Sequence, residues 1–212
     1  FSKAKECAVA LEETSECFFL LADCFEQKGD FINALSCYQE NIHWNKILGV
    51  KDSASFLGCA YSLLGLEKFE EALTLCEEIS DVFPDIAEGW FYKGEAFYAL
   101  NKIDEAEDCY LKALGMEENQ ESLLSILISL GNIYFGKEEF DQALINYNQA
   151  YLLKQDDDNI KLLISITSYK LNDKNKAFSL LKEVAKNKAD AIQFFTNFCP
   201  ESENEIDFLL NK

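Results

Sequence analysis

The 212-residue chain is predicted to be all-α, built from stacked pairs of short antiparallel helices. Three observations predict it. Residues 87–120, AEGWFYKGEAFYALNKIDEAEDCYLKALGMEENQ, carry two runs of apolar and small residues at helical spacing. The first run is Trp90, Gly94, Phe97, Tyr98 and Leu100; the second is Ala106, Cys109, Tyr110, Ala113 and Leu114, with Asn101 and Lys102 between them where a turn belongs. The same order recurs along the chain in a 34-residue phase. Finally, 49% of the residues are hydrophobic, with 9 Gly, only 2 Pro and no low-complexity stretch, which favours helices joined by short turns around an ample core.

Aligning every unit on the small residue of its second helix, position 20 of the repeat, sets the elements in order. Phe1 and Ala4 fall at positions 17 and 20, so residues 1–13 read as the second helix of a preceding repeat, or as an isolated capping helix. The chain opens without Met, and the expectation is a fragment of a longer protein with further repeats upstream. Residues 15–48 form repeat 1: Phe18, Leu21, Ala22 and Phe25 pack first, Gly29 turns, and Phe31, Ala34 and Tyr38 follow, while Asn41 stands where the pattern wants Ala. Residues 49–52 are a short insertion. Repeat 2, residues 53–86, packs Phe56, Cys59, Ala60 and Leu63, then Phe69, Ala72, Cys76 and Ile79. Pro84 stops its second helix, and Glu67 takes the turn position of Gly. Repeat 3, residues 87–120, follows directly, with Asn101 at that turn; Asn tolerates left-handed backbone better than most residues. After a three-residue insertion, 121–123, repeat 4 spans 124–157 with Leu127, Leu130, Gly131, Tyr134, Phe140, Ala143, Tyr147 and Ala150. Repeat 5, 158–191, keeps Ile164, Ser165, Ala177, Leu181 and Val184 but puts Lys161 and Lys174 where bulky residues are expected. Residues 192–212 read as a degenerate cap: a further first helix from Ile192 to Cys199, cut short by Pro200, then a short helix over 205–210.

A 34-residue unit with a large aromatic, Gly, aromatic, Ala, Tyr and Ala in that order resembles the tetratricopeptide repeat (TPR), and the resemblance runs over nearly the whole chain. It implies one right-handed TPR superhelix, an α-solenoid of antiparallel helix pairs spanning residues 1–212, with the first helices lining a concave face. In that pattern, positions 2, 5, 9 and 12 of each first helix face the inside of the curve. Here they are Glu16, Phe19, Asp23 and Glu26; Ala54, Leu57, Tyr61 and Leu64; Glu88, Phe91, Glu95 and Tyr98; Ser125, Ile128, Asn132 and Phe135; and Asn159, Leu162, Ile166 and Tyr169. Eleven of the twenty are large and apolar or aromatic, and the charged ones are all acidic. An acidic-rimmed apolar channel suits an extended or helical partner segment with apolar anchors and some basic residues. Phe91, Tyr98, Tyr61 and Phe135 are the expected anchors, with Glu88 and Glu95 favouring basic residues. Burying four such anchors contributes about 6–12 kcal/mol gross, most of it offset by ordering and association, so micromolar affinity is the expected scale. Segments of the parent protein itself, a homo-oligomer partner, and an inner stripe closed into core are the competing occupants.

The resemblance also carries an exclusion. Carboxylate-clamp members bind acidic chaperone tails through cations at positions 5, 2 and 6 of their first helices, where this chain has Phe19, Glu88 and Tyr92. A carboxylate tail would meet carboxylates there. The balance of 19 basic to 38 acidic residues, a formal charge of −19, likewise repels nucleic-acid phosphate and anionic lipid. All 19 basic residues are Lys, so no bidentate Arg contact originates in this chain. No apolar run reaches membrane-spanning length without a charge. The eight Cys contain no CxxC pair, and three of them share one repeat position, so they read as reduced, mostly buried thiols of a cytoplasmic protein. The single His43 assembles no triad, the glycines form no phosphate-cradling loop, and Asp156, Asp157, Asp158 and Asn159 lack Ca²⁺-loop spacing and read as a helix cap. The expectation is a non-enzymatic interaction scaffold or chaperone-like adaptor without metal or cofactor; a structural or self-associating module, or a secretion-type chaperone, is the alternative.

Overall fold

The computed structural model describes residues 2–186, 190–203 and 205–206, with side chains from Ala10 onward. The chain divides into two compact units, Phe1–Met116 and Glu117–Lys212. In the first lie α1 (Ser2–Glu26), α2 (Phe31–Leu48), α3 (Ala54–Gly65), α4 (Phe69–Val82), α5 (Ala87–Ala99) and α6 (Ile103–Met116). In the second lie α7 (Gln120–Gly136), α8 (Phe140–Leu153), α9 (Asp158–Lys170), α10 (Lys174–Val184), α11 (Ala191–Phe198) and a 3₁₀ turn, Pro200–Ser202. Consecutive helices pack as pairs, α1 with α2, α3 with α4, α5 with α6, α7 with α8 and α9 with α10. The described residues contain helices and no strand.

The pairs close through small residues. Position 20 is Ala34, Ala72, Ala106, Ala143 and Ala177, each fully buried. Opposite it, position 8 is Ala22, Ala60, Gly94, Gly131 or Ser165, and the Ser165 hydroxyl donates to the Ala177 carbonyl at 2.6 Å. At three helical glycines, Gly58, Gly94 and Gly131, the gap is filled by a tyrosine ring. A Cβ on Gly94 would sit 2.6 Å from the Tyr110 ring, and a Cβ on Gly131 or Gly58 would collide with Tyr147 or Tyr38. Such sites tolerate no added methyl without displacing a buried ring.

The helix-pair turn is the same in all five repeats. Gly29, Glu67, Asn101, Glu138 and Asn172 occupy position 15, with φ of 72°, 58°, 59°, 61° and 64°. Chain reversal after the first helix requires the left-handed backbone there, and only Gly adopts it without strain. Several second or following helices start on side-chain caps: Asp30 accepts from the Asn33 N–H, Asn119 from Glu121 and Ser122, Asp157 from Asn159 and Ile160, and Asp173 from Lys176.

Three features differ from the sequence expectation. α1 runs unbroken from Ser2 to Glu26, so residues 2–13 continue into the first helix of repeat 1 rather than ending as a separate helix; neither Pro nor Gly interrupts the run. The three-residue insertion, residues 121–123, is helical and extends the first turns of the 17-residue α7 upstream of the repeat boundary at 124. Of the short helix expected over 205–210, only Glu205 and Ile206 lie within the described residues.

The departures from the repeat pattern are built into polar contacts. Asn41 is buried: its Nδ2 donates to the Ser15 carbonyl at 2.6 Å and the Ser15 hydroxyl at 3.0 Å. Its Oδ1 accepts from Asn45 Nδ2 at 2.9 Å and from the Ser55 hydroxyl at 2.5 Å. Asp52, from the short insertion, joins this knot through Ser55 at 3.1 Å and caps α3 at the Ala54 N–H. Lys161 of α9 reaches Glu183 of α10 at 2.7 Å, and Lys174 reaches Glu205 at 2.7 Å.

Candidate functional site

In the first compact unit the inner-stripe positions of α1, α3 and α5 are brought onto neighbouring helices; α3 packs on α1 and on α5. Phe19 is half-buried, its ring edge-on to Tyr38 at 5.9 Å. Leu57 and Leu64 are half-buried and pack at the edge of the core. Tyr61 and Tyr98 stand 40% and 45% exposed. A row of rings links four helices, α2, α3, α5 and α6: Phe31 to Tyr61 at 5.7 Å, Tyr61 to Tyr92 at 5.9 Å, Tyr92 to Phe91 at 5.8 Å and Phe91 to Tyr110 at 5.7 Å. These spacings are those of favourable tilted and edge-to-face pairs. Glu88 is exposed, and the half-buried Glu95 accepts a hydrogen bond from the Tyr110 hydroxyl at 2.5 Å.

The tyrosines that fill these three glycine gaps also reach the inner-stripe residues. Tyr38 donates to Glu26 at 2.9 Å, Tyr110 to Glu95, and Tyr147 to Asn132 at 2.8 Å. Second-helix scaffolding thereby fixes the rotamers of first-helix surface residues. Burial pushes the Tyr38 hydroxyl well above the ordinary phenol range, and the adjoining Glu26 adds to it. The Tyr92 hydroxyl is raised in the same sense, first by burial and then by the charges of Glu88 and Glu26. Burial also raises the Glu26 carboxyl, partly offset by the Tyr38 hydrogen bond and reinforced by Asp23.

In the second unit the stripe has a different fate. Asn132 is exposed, Ile128 is half-buried, and Phe135 is half-buried between Phe140 at 5.3 Å and Phe198 at 6.0 Å. Leu162, Ile166 and Tyr169 are only 2%, 2% and 6% exposed. They form one core with Phe195 and Cys199 and with Ile206 beyond the 3₁₀ turn. Tyr169 stacks edge-on against Phe178 and Phe195 at 5.7 and 5.6 Å, and Lys170 pairs with Glu201 at 3.4 Å across the same seam. These three residues are therefore covered by the chain's own α11 and the segment after it.

Sequence spacing did not single out Tyr92 or Phe31 as part of the face. Tyr92 sits at position 6, one place off the inner stripe, and only its ring contact with Tyr61 brings it there. Elsewhere the arrangement offers little chemistry. Cys17, Cys24, Cys37, Cys59, Cys76, Cys109 and Cys199 are free thiols. Burial pushes Cys59 and Cys76 up to about 12 and Cys199 up to about 11, so these thiols stay protonated at neutral pH. His43 is exposed with its ring against Trp44. Asp157 is desolvated, yet hydrogen bonds from Lys154 and from the Asn159 and Ile160 N–H groups outweigh that and hold its carboxyl below the usual range. Among the described residues no three His, Cys, Asp or Glu side chains group as metal ligands, and no helix is long and apolar enough to cross a membrane.

Comparison with known proteins agrees with this architecture. Two tetratricopeptide repeat family models match residues 59–121 and 124–157. A TPR repeat-containing protein of Methanocaldococcus jannaschii is 29% identical over 94 residues, 43% of this chain and 29% of its own length. The chain thus matches less than a third of that relative. Among solved structures, the Cut9–Hcn1 hetero-tetramer of the APC/C superposes with a TM-score of 0.75 at 16% identity, over 93% of this chain and 40% of that one. A thermophilic TPR protein of Thermus thermophilus gives 0.67 at 16% identity over 87% and 98%. YrrB, described as a TPR protein with an unusual peptide-binding site, gives 0.62 at 20% identity over 79% and 84%.

Proposed function

This chain is a tetratricopeptide-repeat protein, and on that premise we propose that it is a non-enzymatic protein–protein interaction scaffold whose first compact unit captures an apolar, partly basic segment of a partner on the face formed by α1, α3 and α5. One observation carries the reading. Tyr61, within a packed aromatic row, and Tyr98 on the neighbouring α5 both remain open to solvent, among inner-stripe positions whose charged members are all acidic. Large rings left at the surface of a well-packed unit are the usual mark of a contact site. The peptide-binding description of YrrB supports the same mode. The acidic charge and free thiols suit a cytoplasmic adaptor or chaperone-like role.

The Phe91→Ala/Tyr98→Ala double variant tests it. With helical circular dichroism unchanged, it should abolish binding of partners recovered with the full-length protein, and unchanged affinity would refute the proposed face. A second reading, self-association, draws on the exposed Phe194 and Phe198, whose rings stack at 5.1 Å on the second unit. Sedimentation velocity over a wide concentration range separates the two, since a concentration-independent monomer excludes self-association.

A further inference from the structure

A diagonal crosses the three first helices of the first unit. Asp23 and Glu26 lie near the end of α1, and the Tyr38 ring whose hydroxyl bonds Glu26 packs on Gly58, three residues before Tyr61 in α3; Tyr92 and Glu88 lie in α5, and the charge of Glu26 acts on the Tyr92 hydroxyl. The Tyr61 and Tyr92 rings are 5.9 Å apart and inclined at 41°. Tyr92 is half-buried and Tyr61 is partly open, so the pair presents ring surface on its solvent side. The Asp23 carboxylate accepts from Gln27 Nε2 at 2.9 Å and Glu26 accepts from the Tyr38 hydroxyl. Neither forms an ion pair within the described residues. The Glu26 carboxyl is partly desolvated and lies in the field of Asp23. A cation seated between them and the rings would relieve that repulsion while gaining the attraction of the aromatic faces.

We infer that this diagonal is the specificity pocket of the interaction face and seats one arginine side chain of a bound partner segment, its guanidinium against the exposed side of Tyr61 and its N–H groups turned to Glu26 and Asp23. Arginine fits better than lysine. The guanidinium is planar, weakly hydrated and forked, so it stacks on a ring and bonds two carboxylates at once, whereas an ammonium is a compact, strongly hydrated point charge. The 212 residues contain no Arg among their 19 basic side chains, so a second copy of them cannot supply the ligand and the occupant is a segment from outside them. The inference rests on the proposed segment-binding face and adds what that face selects.

Random dodecapeptides displayed on phage and panned against the full chain test both levels. Selected peptides are resynthesised with Arg, Lys or the neutral isostere citrulline at each basic position, and titrated by fluorescence anisotropy. The expected result is an Arg in the selected peptides and a loss of about tenfold or more with citrulline. Lys should give a smaller loss. Asp23→Asn and Glu26→Gln in the protein should each weaken the Arg peptide and leave the citrulline peptide unchanged; Tyr61→Phe should retain binding and Tyr61→Ala lose it. Glu26→Gln keeps an acceptor for Tyr38, and circular dichroism confirms folding. Peptides that need Phe91 but bind equally well with citrulline or lysine, or that ignore Asp23→Asn and Glu26→Gln, overturn the arginine pocket and leave the face standing. Peptides indifferent to both Phe91→Ala and Tyr61→Ala overturn the face itself.

Discussion

Asn41 shows how one residue can leave a repeat pattern and become structural. At the same position the other repeats carry Ile79, Ala113, Ala150 and Val184, all apolar and buried. Asn41 instead makes four hydrogen bonds, linking α1, α2 and the start of α3. Asn41→Ala restores the residue that the pattern wants, yet it strips partners from the buried Ser15 and Ser55 hydroxyls. It should destabilise the first unit by about 1–3 kcal/mol, read from denaturant unfolding; a neutral or stabilising outcome would show that the knot contributes nothing net. The departure at residue 41 was legible in the sequence, but its partners were not. Ser15 lies 26 residues upstream, and no local rule pairs it with Asn41. Tyr92 was hidden for a related reason, because helical spacing assigns a residue to a face but does not say which neighbour on the next helix its ring will meet.

Among elements, the turns between paired helices were the most legible. A 34-residue phase places one residue per repeat where the chain must reverse, and the left-handed backbone appears at all five. Glu67 and Glu138 hold that conformation against the clash of their own Cβ. Glu67→Gly and Glu138→Gly should each stabilise by about 0.5–1 kcal/mol, net of the extra entropy that Gly brings to the unfolded chain, measured as a higher denaturant midpoint. A lower midpoint for both would mean that the glutamate side chains contribute more than the strain costs. Helix length was less legible. α1 continues through Thr14 because nothing in the residues around it terminates a helix, and alignment to a repeat cannot distinguish two abutting helices from one. Also illegible was the burial of Leu162, Ile166 and Tyr169, since their positions specify a face while α11 decides whether that face stays open.

For the whole molecule the governing quantity is a formal charge of −19 spread over 212 residues. Self-repulsion of that size opposes the compact state and is relieved by counterions. The melting temperature should therefore rise as NaCl is increased from low to about physiological ionic strength, whereas affinity for an arginine-bearing peptide should fall over the same range. Opposite slopes in one buffer series would separate self-repulsion from recognition; a melting temperature that falls with salt would show that attractive ion pairs such as Lys161–Glu183 and Lys174–Glu205 outweigh the net charge. The covering of α9 by α11, Cys199 and Ile206 has a consequence for how such an array can grow. The seat on α9 and α10 that another helix pair would use is already occupied. Duplicating a helix pair before α9 preserves every contact of this seam, whereas inserting one between α10 and α11 must unseat Phe195 and rebuild it on a new neighbour. Lengthening by repeat duplication is thereby directional, permitted upstream of α9 and resisted beyond α10.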